Sequence, residues 1–368
     1  MIKRIISYSI ALILCFFGTG ITLKAFSDAG FPETEASTPS KKVDTVVSYV
    51  QVLTNNDLKL TERPAKSVIS PRGDFILVPS IDNNFLYYIN TWNNSPKLEN
   101  FTIPTGQKPV AVAISSNSKY AYIANEGDNT ISVVRLEEED SNIVNTITTG
   151  EKPSSIAISP DDRYLYVTNK GDDTLSIIKT SYDDCKIVNI IPVGNFPYSI
   201  KLSKTGETGY IVNQGSNDVS IIDLFDPENA QFKGSIPVGV YPSDLAISNN
   251  QDISIVSNTI ENTLSVFNPL SDFPVSFGTI SNVSKPAGIA SDNKGNFAAV
   301  VNAGSGTLNL YSFRYAEDQS IIKLDHDDIS VGGYPEFIDI NSEKELMVII
   351  SPQSKTLSLI KYERKYEN

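Results

Sequence analysis

The stretch "TGEKPSSIAISPDDRYLYVTNKGDDTLSIIKT", Thr149 to Thr180, decides the fold. Its apolar residues alternate through "SSIAIS", "YLYVTN" and "TLSIIKT", the period of strands, and polar or Gly-containing bends separate the runs. A fourth run, "IVNIIPVG", leads to the next proline. Close copies stand on either side, "TGQKPVAVAISSNSKYAYIANEGDNTISVVRL" and "VGNFPYSIKLSKTGETGYIVNQGSNDVSIIDL".

The marker prolines of the copies are Pro64, Pro109, Pro153, Pro197, Pro242, Pro286 and Pro335, spaced by 45, 44, 44, 45, 44 and 49 residues. Sixteen residues after each proline the second run ends, at Ser80, Asn125, Asn169, Asn213, Asn258, Asn302 and Ser351, with no slip of register. Proline suits the first residue of a strand, where no ladder donor is needed. Four antiparallel strands repeated about every 44 residues predict an all-β, seven-bladed β-propeller, whose radial repetition leaves only short edges. The seventh copy supplies three strands, "PEFIDIN", "LMVIIS" and "TLSLIKY", so the segment Val46 to Leu60 is predicted to add the missing outer strand and close the ring.

The spellings "YIAN" at Tyr122–Asn125, "YVTN" at Tyr166–Asn169 and "YIVN" at Tyr210–Asn213, each with a Gly-x-x-Pro-like approach upstream, resemble the YVTN β-propeller repeat family and the wider group of lactonase-like seven-bladed propellers. The resemblance covers roughly Asp44 to Tyr362 and weakens in the first and seventh copies, which read "VPS" and "IIS". It implies the fold and frequent occurrence on exported or surface proteins. It fixes no activity.

The first 27 residues have the layout of a signal peptide, with Lys3 and Arg4 before nineteen uncharged residues, Ile5 to Leu23. Ala25 and Ser27 place small side chains before a possible cut at Asp28. An uncleaved membrane anchor is the alternative, nineteen residues being just long enough to span. Lipid attachment at Cys15 is a weaker one, because Leu14 stands where a small residue is usual. Residues 28–44, "DAGFPETEASTPSKKVD", offer little to bury and read as a disordered linker. The propeller is assigned to residues 45–368.

The net charge is −13, and loss of Lys3, Arg4 and Lys24 with no acid would make it −16. Such a balance argues against nucleic-acid binding and against adhesion to anionic membranes, so membrane contact is expected only through the N-terminal segment. With Cys15 removed, only Cys185 remains, next to Asp183 and Asp184 and with no intrachain disulfide partner. Its thiolate is disfavoured there.

Chemistry-bearing motifs are few. Asp172 and Asp173 sit in a bend whose counterparts read "IDNN", "EGDN", "QGSN", "TIEN", "AGSG" and "PQSK". Turn-forming residues recur there but acidity does not, and no segment has the spacing of a calcium loop, so the bend reads as hairpin chemistry and no metal is expected. The single histidine, His326, falls in the outer strand of the sixth copy with no nucleophile motif around any serine. Neither a catalytic residue nor a cofactor is assigned: C-x-x-C-H and phosphate-cradling glycine loops are absent. Trp92 reads as cover for a blade edge.

The residues before the marker prolines differ most informatively between copies: Arg63, Lys108, Lys152, Phe196, Tyr241, Lys285 and Tyr334. Placed around one mouth of the central channel, they form a mostly basic arc closed by aromatic residues, suited to a small anionic ligand or a glycan. The competing account is that this slot is often basic in the YVTN spelling. The sequence thus favours an exported, monomeric, non-catalytic propeller that binds a protein, glycan or small anion. A lactonase-like hydrolase of the 6-phosphogluconolactonase type is the alternative that the resemblance implies, and an assembling surface-layer component is a third.

Overall fold

The computed structural model describes residues 47–91, 96–181, 184–248, 253–269, 276–292, 297–315, 321–324 and 328–366. The signal segment, the linker, Trp92 and His326 lie outside the described residues. The described chain forms seven antiparallel sheets, six of which follow the sequence order from innermost to outermost strand, while the seventh takes its outermost strand from the N-terminal segment. Consecutive innermost strands pack against one another all the way round, and that of blade seven, Phe337–Asn341, meets that of blade one, Val68–Ile69. The ring is closed.

Closure comes from the predicted source. Val47–Lys59 pairs antiparallel with Thr356–Tyr366 as the outermost strand of blade seven. It is one strand, interrupted by register shifts between Val47 and Tyr49 and between Val52 and Thr54. Its partner is further tied to blade six: the Arg364 guanidinium, 7% exposed, meets the buried Asp292 carboxylate at 2.8 Å and donates to the Ser342 carbonyl. Blade six is the irregular one, its outer edge made of two short pieces, Ile321–Lys323 and Ile329–Ser330, both paired with Thr307–Tyr315.

All seven second strands end where the proline spacing places them, as in Tyr120–Asn125, Tyr164–Asn169 and Thr208–Asn213. These strands are apolar on both faces because each blade is covered on both sides. Leu165 and Val167 face blade two, while Tyr166 faces blade four. The hydrophobic core is accordingly divided into seven wedges, one between each pair of neighbouring blades, among the described residues. Alternation with period two thus serves two interfaces at once.

The repeat spelling has a polar cause. The side-chain amide of Asn125 donates to Thr130 and, at 2.9 Å, to Ser132, and Ser132 accepts the N–H of Gly106 at the approach to blade two. Asn213–Ser220–Gly194 and Asn258–Ser265–Gly239 repeat the arrangement. A Cβ on Gly106, Gly150, Gly194 or Gly239 would lie 2.5 Å from the asparagine amide nitrogen. In blades two to five the Asn at the end of the second strand thus leaves room only for Gly three residues before the marker proline, and the approach to each of these blades is packed against its second strand.

Candidate functional site at one mouth of the central channel

Six of the seven residues preceding the marker prolines adopt left-handed backbone, from φ 47° at Lys285 to φ 61° at Tyr334; Arg63 does not. Bulky side chains are rare in that region. Neighbouring blades hold them there. The N–H groups of Lys108, Lys152, Phe196, Tyr241 and Lys285 donate to the side chains of Asn84, Asn129, Asp173, Asn217 and Asn262, each the last residue of the preceding blade's bend. Asp172 accepts from the Glu151 N–H and from the Thr174 hydroxyl. The acidic pair of blade three is spent on backbone geometry.

Two adjoining cavities, of about 320 and 240 Å³, occupy this mouth. Together they draw on the same two positions in every blade. The residues just after the marker prolines are Ala65, Val110, Ser154, Tyr198, Ser243, Ala287 and Glu336, and those just after the second strands are Ile81, Glu126, Lys170, Gln214, Thr259, Ala303 and Pro352. Of the residues preceding the prolines, Arg63 and Lys108 line the first cavity and Tyr241 and Tyr334 the second. Lys152, Phe196 and Lys285 line neither. Phe196 and Lys285 stand one step outside: the Lys170 ammonium lies 5.7 Å from the centre of the Phe196 ring, and that of Lys285 5.8 Å from the Tyr334 ring.

The two lobes differ in chemistry. The first gathers Arg63, Lys66, Lys108 and Lys170 against the carboxylates of Glu126 and Glu336. Glu126 serves two lysines, at 2.6 Å from Lys108 and 2.8 Å from Lys170. Burial would raise its carboxyl, but the hydrogen bonds from both ammonium groups outweigh burial and hold it below the usual range. One carboxylate facing two ammoniums leaves the pair in positive excess. The second lobe is walled by Tyr198, Tyr241, Tyr334 and Phe337, with small residues Ala287 and Ala303 between them.

Lys66, Tyr198, Glu336 and Phe337 border both lobes. Lys66 donates to the Ser199 hydroxyl at 2.9 Å, and Ser199 donates to Asp244 at 2.6 Å. Burial lowers the Lys66 ammonium to about 8, with Lys201 adding to the shift and Asp244 and Asp339 opposing it. Burial also raises the Glu336 carboxyl, against the nearby Arg63 charge and a hydrogen bond from Gln353, and raises the Tyr198 phenol, keeping it neutral. Ionisable groups with such shifts bordering one cleft are a common mark of a reactive site.

A third cavity, of about 470 Å³, opens at the far ends of the innermost strands and contains Lys201, Asp292 and Asp339. It is the largest of the three but lacks the convergence of cations and rings. The line Lys66–Ser199–Asp244–Lys201, whose last contact is 3.8 Å, lies between the two ends of the channel. Among the described residues no group of three or more His, Cys, Asp or Glu side chains is arranged to hold a metal ion.

The charged channel residues were not singled out in the sequence. Lys66, Asp244 and Glu336 lie inside innermost-strand runs, where alternation makes a charge look outward-facing. The mouth itself had a positional signal, since the residues one and seventeen places after each marker proline, Glu336, Glu126 and Lys170 among them, form complete rings there, while Lys66 and Asp244 stand two places after theirs.

The family model "Lactonase, 7-bladed beta-propeller" matches residues 35–233. Among curated proteins no match is found. Hydrazine synthase from Kuenenia stuttgartiensis is similar in fold, with a TM-score of 0.68 at 15% identity over 83% of this chain and 97% of that one. A functionally unknown protein from Desulfotomaculum acetoxidans has a TM-score of 0.63 at 15% identity, over 83% and 99%. A putative 6-phosphogluconolactonase from Bacteroides uniformis has a TM-score of 0.63 at 18% identity, over 73% and 85%. At these identities the likeness concerns the fold.

Proposed function

The chain belongs to the seven-bladed β-propeller lactonase family, and we propose that it hydrolyses a small lactone carrying an anionic group at the two-lobed mouth. The observation that carries the reading is the placement of Lys66 and Glu336, with Tyr198, on the border shared by both lobes. The family and the likeness to the putative 6-phosphogluconolactonase from Bacteroides uniformis favour a hydrolase over the display role that the sequence suggested first.

In this reading Arg63, Lys108 and Lys170 hold the anionic group, an interaction strengthened by the enclosed setting. The Glu336 carboxylate takes a proton from water, and the resulting hydroxide forms a bond to the lactone carbonyl carbon. Lys66 faces the oxyanion of the tetrahedral intermediate. The ring C–O bond then breaks, and the proton on Glu336 passes to the departing alkoxide. The opened chain carries one hydroxyl and one carboxylic acid, which releases its proton to solvent to become the carboxylate, and Glu336 returns to its ionised form.

The layout of residues 1–27 supports an extracytoplasmic site of action, as a cleaved or anchored protein. The test is lactone hydrolysis by the full chain, with and without added divalent metal, using 6-phosphogluconolactone and simple γ- and δ-lactones. A rate above background that Glu336→Gln abolishes supports the hydrolase. No rate above background with any of them removes the enzyme reading and returns the propeller to a binding role.

A further inference from the structure

The aromatic lobe specifies more than an anion does. Its four rings, Tyr198, Tyr241, Tyr334 and Phe337, come from blades four, five and seven and converge beside Ala287 and Ala303. Of the lobe's polar lining, Ser243 and Thr259 share a hydrogen bond and Thr259 donates onward to the Pro286 carbonyl at 2.7 Å, while the side-chain oxygen of Gln214 accepts from no protein group. Apolar surface continues outward on the same blades. Val240 is 46% exposed and Ile260 62%, in two loops joined by the hydrogen bond from the Val240 N–H to Glu261. Flat rings with small aliphatic groups between them form a slot for a planar group, with the Gln214 oxygen as an acceptor at its edge.

The cationic lobe adjoins this slot directly, with Lys66 and Glu336 between them. We infer that the mouth takes a bipolar ligand, an aryl group in the blade four-to-seven lobe joined to an anion in the blade one-to-three lobe. If the hydrolase reading holds, on which this extension to substrate rests, the substrate class is an aryl-substituted lactone acid or phosphate.

Binding of phenyl phosphate and of methyl phosphate to the full chain, measured by calorimetry at pH 7, tests the inference without any lactone chemistry. Phenyl phosphate is expected to bind at least about tenfold more tightly, about 1.4 kcal/mol by the affinity relation. Tyr241→Asn and Tyr334→Asn place a residue that tolerates left-handed backbone at two left-handed positions, so the fold is preserved. Each is expected to cost phenyl phosphate about fivefold or more in affinity while leaving methyl phosphate within twofold. Arg63→Ser is expected to weaken both alike. Equal affinities for the two phosphates, binding of neither, or tyrosine variants that weaken both to the same degree would overturn the bipolar site. Failure of lactone hydrolysis with the phosphate preference intact would remove only the enzyme reading.

Discussion

Asp173 Oδ1 accepts the backbone N–H of Phe196 at 2.7 Å. The bend of blade three therefore sets the left-handed conformation of a bulky residue at the approach to blade four, and Asn84, Asn129, Asn217 and Asn262 do the same elsewhere. Asp173 is itself left-handed, φ 57°, a conformation that Asn accepts readily. Asp173→Asn is expected to leave stability within about 0.5 kcal/mol, and Asp173→Ala to cost about 1–2 kcal/mol through the lost acceptor and the strained backbone. Urea unfolding midpoints compare the two. An Asn variant as damaging as the Ala variant would show that the charge matters beyond the turn.

Gly150 faces the amide of Asn169, with 2.5 Å between that nitrogen and a Cβ placed on the glycine. Gly150→Ala should destabilise by about 1–3 kcal/mol, as overpacked interiors do. The same substitution at Gly234, where a Cβ would meet nothing within 4 Å, tests backbone strain alone, since its φ is 148°. Comparing their melting temperatures separates crowding from strain.

Anion affinity should follow the first lobe and not basic charge in general. Lys108→Ser removes a cavity-lining cation and is expected to weaken methyl phosphate binding and flatten its salt dependence. Lys152→Ser removes an exposed cation that lines neither cavity, with a change within about twofold, as suits a solvent-screened charge. Equal losses in the two variants would favour diffuse attraction.

Hydrolysis should show a bell-shaped pH dependence. Glu336 works ionised, and burial raises its carboxyl, so activity should rise with pH through a midpoint above the ordinary glutamate value. Lys66 works protonated, and burial lowers it to about 8, so activity should fall as pH passes that value. In Lys66→Arg, which stays charged, the alkaline limb should vanish. Initial rates across pH 4 to 10 distinguish these limbs, and an alkaline limb unchanged in the arginine variant would exclude Lys66 as its source.

Arg364→Ala takes a guanidinium away from the buried Asp292 carboxylate and is expected to cost about 3 kcal/mol or more. Because Arg364 belongs to the strand that pairs with Val47–Lys59, hydrogen exchange should quicken first along that strand pair.

The architecture was legible because a propeller repeats one local solution. The marker prolines fixed the second-strand ends to the residue, and the missing strand of the last copy pointed to Val46–Leu60 as its source. The mouth was only half legible. Reading the residues before the prolines found Arg63, Lys108, Tyr241 and Tyr334, which line the cavities, but also Lys152, Phe196 and Lys285, which do not. Left-handed backbone at these positions makes side-chain direction depend on the neighbouring blade. Glu126 and Lys170 looked like bend residues, since nothing local marks the place after a second strand as facing the axis. Lys66 and Glu336 were hidden for a related reason: whether an innermost-strand charge faces solvent, a wedge or the channel depends on the ring as a whole.

The pairing of Val47–Lys59 with Thr356–Tyr366 also sets an order in time. During synthesis the earlier strand emerges with no partner and waits while six blades are made behind it, and the ring shuts only when the later one leaves the ribosome. Until then blade seven has an open edge and the wedge between blades seven and one has a single wall. A chaperone or translocation factor would meet the nascent chain as an open arc, and the two-lobed mouth, which draws on blades one and seven together, comes into being only at that final step.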